Sequence, residues 1–139
     1  MTTASRAFPK TKRLLRRADF KRVYDSGRRQ FTGNMTVFFL RRSLVDTAGS
    51  SSLRVGLTVG KVLGGSVERS RIKRRMREAV RLSWPDREAP VDVVLHPRKA
   101  VLNMEVDELA REVARGLNLA IQRAREAQAG EPNQPVRSQ

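Results

Sequence analysis

A chain of 139 residues fits a single domain around one hydrophobic core. Its 29 lysines and arginines stand against 14 aspartates and glutamates, a net charge of +15 that opposes compaction and points to a polyanionic partner, nucleic acid or an anionic membrane surface. With no cysteine, a disulfide framework and a thiolate metal site are excluded, and with no apolar run of signal-peptide length or of the ~18 residues that span a membrane, a soluble cytoplasmic protein is expected.

Residues 1–11 are polar, basic and interrupted by Pro9, and read as a flexible arm, with order beginning near Lys12. Over 15–26, Leu15, Phe20, Val23 and Tyr24 recur at helical spacing, Asp19 falls near the start and Gly27 supplies a stop. Lys10, Lys12, Arg13, Arg16 and Arg17 crowd the entry to this helix, within reach of phosphates. Between residues 31 and 42, Met35, Val37 and Phe39 alternate with Thr36, Phe38 and Leu40; both faces are apolar, which predicts one strand covered on both sides. The small polar run at 46–52 predicts a mobile loop. A strand predicted over 53–60 sends Leu53, Val55, Leu57 and Val59 one way and Arg54, Gly56, Thr58 and Gly60 the other. The small residues of that second face leave a shallow trough for a ligand or another backbone.

Gly64 and Gly65 form a turn, Ser66 is the expected N-cap, and a helix follows as far as Pro85. An apolar run at 91–95, bounded by Pro90 and Pro97, predicts a buried strand. The last helix, over 106–127, carries Val106, Leu109, Ala110, Val113, Leu117, Ala120, Ile121 and Ala124 as a core-packing stripe. Residues 128–139 have little to bury and read as a disordered tail.

The helix after Gly65 is the most informative segment. Wound at about 100° per residue, it gathers Ile72, Met76, Ala79, Val80 and Ser83 on one side, facing the core. On the other side Ser70, Arg74, Arg77 and Arg81 fall in line, flanked by Lys73 and by Arg71 and Arg75, with no carboxylate in the line. Arg69, Arg71, Lys73, Arg74, Arg75, Arg77 and Arg81 are offset only by Glu68 and Glu78. Like charges four residues apart oppose helix formation by roughly a few tenths of a kcal/mol each, so this ridge is costly without a partner. A merely solvated face would intersperse glutamate with lysine. Arginine, whose planar fork suits bidentate phosphate contact and stacking, points instead to RNA or DNA.

The run Arg69-Ser70-Arg71-Ile72-Lys73-Arg74-Arg75-Met76-Arg77-Glu78 resembles the signature helix of the ribonuclease P protein family, R-N-R-x-K-R-x-x-R. RLLRRADFKRVYDSG at 13–27 resembles the family's first helix, LRVGLTVGK at 53–61 the strand leading to the signature, and VDVVLHPRKA at 91–100 the strand after it. The similar segments span about residues 8–125, in the family's order. Ser70 stands where the family usually has Asn, keeping a hydroxyl and losing the amide. Gly65 replaces a typically polar residue, and His96 occupies a commonly small or apolar position.

The resemblance implies an α/β (α+β) fold, a single compact domain over 12–127 of order αβββαβα, ribosomal-protein-like, with a left-handed βαβ crossover that the general right-handed rule would not predict. It further implies an accessory protein subunit of ribonuclease P, whose partners are the catalytic RNA, one protein per RNA, and precursor tRNA. Arg69, Ser70, Arg71, Lys73, Arg74, Arg77 and Arg81 would then bind RNA. Phe20, Tyr24 and Phe38 would line a cleft for the single-stranded 5′ leader, where aromatic faces stack unpaired bases without reading sequence. Without the resemblance, Phe20 and Tyr24 read as core packing. Chemistry would belong to the RNA, which holds the magnesium ions that activate water. No residue of the chain is assigned a catalytic or metal-binding role: there is one histidine, His96, and Glu105, Asp107, Glu108 and Glu112 gather where a helix dipole favours negative charge.

Composition alone suits a structural ribosomal RNA-binding protein equally well, and only the ordered motifs separate the two. A nonspecific DNA-packaging protein and an autonomous nuclease are further alternatives. Preference for leader-bearing RNA and an assay of the protein alone discriminate them.

Overall fold

The structure, a computed structural model, describes residues 13, 14, 16–42, 52–86 and 89–129. The arm expected at 1–11, nearly all of the loop expected at 46–52 and the tail from residue 130 onward lie outside the described residues. In chain order the elements are α1 (Arg17–Ser26), β1 (Arg28–Phe31), β2 (Met35–Arg41), β3 (Arg54–Leu57), α2 (Ser66–Leu82), β4 (Val91–Pro97) and α3 (Val106–Ala129), with 3-10 turns at Lys61–Leu63 and Lys99–Asn103. This is the αβββαβα order. No described helix is long and apolar enough to cross a membrane.

The four strands form one sheet in the order β1-β2-β4-β3. β4 enters between β2, to which it is antiparallel, and β3, to which it is parallel, so β3-α2-β4 is a βαβ unit with adjacent strands. On one face Met35, Val37, Phe39, Val55, Val93 and Leu95 pack against Ile72, Met76, Ala79 and Val80 of α2 and Leu109, Val113, Leu117 and Ile121 of α3, all buried. On the other face lies α1, where Val23, Leu14 and Val94 form a second cluster with Phe20, Phe38 and Leu40 against it. Leu14 also donates its N–H to the Val55 carbonyl at 3.0 Å, so the segment entering α1 pairs with the outer edge of β3.

Of four local expectations, three are corrected and one, the stop at Gly27, holds with a different backbone than expected. The strand expected between residues 31 and 42 is β2, but a further strand precedes it and makes a hairpin: Arg28–Phe31 pairs with β2 from Arg28 opposite Phe39 to Phe31 opposite Thr36. Arg28, Arg29 and Gln30 carry little β signal, and it is pairing with β2 that holds them extended. Glu112 of α3 fastens the turn of this hairpin. Its carboxylate accepts from the Asn34 N–H at 2.6 Å, from Asn34 Nδ2 at 2.9 Å and from the Thr32 hydroxyl. Burial works to raise its pKa, yet these bonds and Arg115 hold it below the ordinary 4.5.

Second, the N-cap of α2 is Gly65, and Ser66 already lies in the helix. The Glu68 carboxylate turns back to accept the Gly65 N–H at 3.0 Å, and Gly64 enters the turn at φ 134°, a conformation that suits glycine. Third, Gly27 does end α1, but with extended backbone. A Cβ there would lie 2.5 Å from the Phe39 carbonyl oxygen, so glycine serves close approach between α1 and β2. Fourth, the stripe of α3 begins at Leu109, because Val106 is 43% exposed at the helix entry.

Candidate nucleic-acid interface

α2 separates its residues as the 3.6-residue period requires. Ile72, Met76, Ala79 and Val80 are buried, and Ser70, Arg71, Lys73, Arg74 and Arg77 stand exposed. Among the described residues, Arg71, Lys73, Arg74 and Arg77 make no ion pair. The remaining cations are committed elsewhere. Arg69 donates Nε to the Gly64 carbonyl at 3.1 Å and so braces the turn into α2. Arg75 gives Nε to the Val101 carbonyl at 3.0 Å and Nη2 to the Met104 carbonyl, satisfying the turn between β4 and α3. Arg81 makes a two-pronged pair with Glu78, Nε at 3.1 Å and Nη2 at 2.6 Å. Glu78 lies off the line, which holds no carboxylate, yet it reaches Arg81 three residues on. The hydrogen bonds from Arg81 hold the Glu78 carboxyl below its ordinary value. The exposed ridge is therefore Ser70, Arg71, Lys73, Arg74 and Arg77, with Arg69 and Arg81 at its ends.

α1 lies on the opposite side of the sheet, and its side chains meet Arg54, Gly56 and Thr58 of β3 and its continuation and His96 of β4. Near its start, Asp19 lies 3.7 Å from Arg54, which donates Nε and Nη2 to Asp92 at 2.9 and 2.8 Å. Asp92 also takes Arg42 Nη1 at 2.6 Å, with both side chains about fully buried (1% exposed). In the middle, Phe20 lies on Gly56: a Cβ on that glycine would come within 2.6 Å of the ring. The trough expected on this strand face is thus filled at Gly56 by the protein's own Phe20 and Leu14. At the far end, the Tyr24 hydroxyl lies 2.8 Å from Thr58 Oγ1 and 2.7 Å from His96 Nε2.

Three rings meet at that end. Tyr24 stands edge-on to Phe38 at 5.1 Å between centroids and to His96 at 5.4 Å, and Phe38 and His96 are 4.7 Å apart. Tyr24 is 38% exposed, and Phe38, Thr58 and His96 are half-buried, so the cluster meets solvent along one side. Burial pushes the His96 pKa below 6.5. Burial pushes the Tyr24 hydroxyl above 10.0, with the Thr58 bond acting against it. Both are neutral at pH 7, which suits stacking and hydrogen bonding to a base. Of the three residues expected to line a cleft, Tyr24 and Phe38 come together with His96, and Phe20, half-buried like Phe38, packs on Gly56 instead. His96 and Thr58 were missed as partners of Tyr24. The only signal for His96 in the sequence was its departure from a small or apolar position. Among the described residues no three His, Asp or Glu side chains converge as a metal site requires.

Comparison with known proteins gives the geometry a family. The model of the family described as Ribonuclease P matches residues 8–120. The ribonuclease P protein component of Desulforapulum autotrophicum is 36% identical over 111 residues, covering 80% of this chain and 90% of the relative. That of Symbiobacterium thermophilum is 39% identical over 104 residues, 75% of this chain and 86% of the relative. The solved ribonuclease P protein of Staphylococcus aureus superposes with a TM-score of 0.63 at 25% identity, covering 80% of this chain and 96% of that one. The Thermotoga maritima protein gives 0.62 at 24%, over 79% and 96% of the two chains, and supports the fold. The structural ribosomal protein is not favoured by these matches. By family model, by relatives and by fold, the chain belongs to the ribonuclease P protein family.

Proposed function

We propose that this chain is the protein subunit of ribonuclease P, docking the catalytic RNA along the exposed ridge of α2 and receiving the single-stranded 5′ leader of precursor tRNA at the Tyr24, Phe38 and His96 cluster, with Phe20 packed on Gly56. The observation that carries this reading is the separation of two surfaces on opposite faces of one sheet: Arg71, Lys73, Arg74 and Arg77 exposed on α2, and an aromatic cluster under α1. The cations neutralise phosphates and release counterions, which lowers the cost of bringing two RNA molecules together. The rings offer faces to unpaired bases. Magnesium held by the RNA supplies activation of water and stabilisation of the leaving oxygen. The chain's own residues orient and hold. One protein per RNA and a cytoplasmic location complete the reading.

Tyr24→Ala tests it, because Tyr24 is exposed enough to be removed without opening the core. The complex reconstituted with this variant binds leader-bearing precursor more weakly and mature tRNA as tightly as before. Equal losses for both would return Tyr24 to a structural role.

A further inference from the structure

The cleft cluster does not end at Phe38. Paired residues in an antiparallel ladder face the same side of a sheet. Phe31 of β1 pairs with Thr36, Thr36 pairs with His96, and Arg29 pairs with Phe38. Arg29 and Phe31 therefore stand on the same face as Phe38 and His96, one and two strands away from them. Phe31 is 48% exposed, and the Arg29 guanidinium lies over its ring at 5.8 Å. An exposed aromatic ring on an edge strand, coupled to a cation and continuous with an aromatic cluster, has the composition of a single-strand stacking platform.

We propose that Phe31 and Arg29 form a second nucleotide-binding position, which takes an unpaired base of the leader on the Phe31 ring and its phosphate on Arg29. This rests on the leader occupying the cluster at Tyr24. Strands lie about 4.8 Å apart, so Phe31 is roughly 10 Å from the His96 strand. It consequently serves a nucleotide further along the leader than the one at Tyr24. The charge matches a polyanion, and the platform extends the surface proposed above to take unpaired RNA.

The test uses the full chain reconstituted with a bacterial ribonuclease P RNA, and precursor tRNAs whose leaders lengthen one nucleotide at a time, with mature tRNA as reference. Phe31→Leu loses affinity by about fivefold or more for the longer leaders, the lower end of what loss of one stacked base gives. It binds the shortest leader and mature tRNA unchanged. Phe31→Trp keeps the wild-type profile. Arg29→Gln, which leaves ring and strand in place, weakens the same long leaders by a factor that shrinks as salt rises. The proposal is overturned if both Phe31→Leu and Arg29→Gln follow the wild-type profile at every leader length. It is overturned equally if they weaken mature tRNA or the catalytic RNA itself as much as the long leaders. Wild-type binding that ignores leader length would sink the leader reading of the cleft and this extension together; a wild-type length dependence that the variants retain would sink only the extension.

Discussion

The ridge on α2 and the cluster under α1 are built on opposite principles. The ridge comes from a single helix and a single period: each exposed cation is placed by its neighbours in sequence and acts largely by itself. The cluster draws Tyr24, Phe38, Thr58 and His96 from four separate segments, and each is placed by contact with the others. The same contrast divides the arginines. Arg71, Arg74 and Arg77 offer their charge outward, whereas Arg42, Arg54 and Arg75 spend theirs on Asp92 and on backbone carbonyls. Charge is left open to solvent in one case and serves as scaffold in the other.

The strongest test of that contrast is a pair of charge removals. Asp92→Ala removes the buried carboxylate that Arg42 and Arg54 share and is expected to cost about 3–5 kcal/mol in urea unfolding, whereas Arg74→Ala changes stability by no more than about 0.5 kcal/mol. Comparable losses would erase the division. Next, Gly56→Ala drives a methyl group into the Phe20 ring and costs roughly 1–3 kcal/mol. It should reduce discrimination for leader-bearing precursor while leaving affinity for the catalytic RNA intact, measured by equilibrium binding of each. The ridge is sharpened by salt titration. Arg74→Ala lowers the slope of log affinity against log salt by about one. Arg81→Ala lowers it less, because Glu78 already compensates that charge, and Arg75→Ala costs stability with little change in slope.

The smallest effect is on pH dependence. Because burial holds His96 neutral, the unfolded chain takes up its proton first as pH falls through 6.5. The stability present above that value is lost on further acidification through the lower folded pKa. His96→Gln should flatten thermal stability in that window. The loss below pH 4.5, to which Glu112 contributes, should persist in the variant.

The ridge was legible in the sequence because helical periodicity is local: Ile72, Met76, Ala79 and Val80 announced the buried side, and the cations opposite them followed. The order of elements was legible through the resemblance, and β1 was not legible from its own residues, because Arg28, Arg29 and Gln30 become a strand only by pairing with β2. Phe20, Tyr24 and Phe38 could be listed, but not the contacts of each. Phe20 packs on Gly56, a contact across 36 positions of the chain. The partnership of Tyr24 with His96 spans 72 positions and leaves no periodic trace. Nor did spacing reveal that Arg75 would turn away from the ridge to hold the carbonyls of Val101 and Met104.

The most direct test is leader release by a bacterial ribonuclease P RNA at near-physiological magnesium and salt, timed with and without the full chain. Faster release with the chain present, by a margin that narrows as ionic strength rises, is the predicted result. Release at the same rate in both reactions would contradict the account.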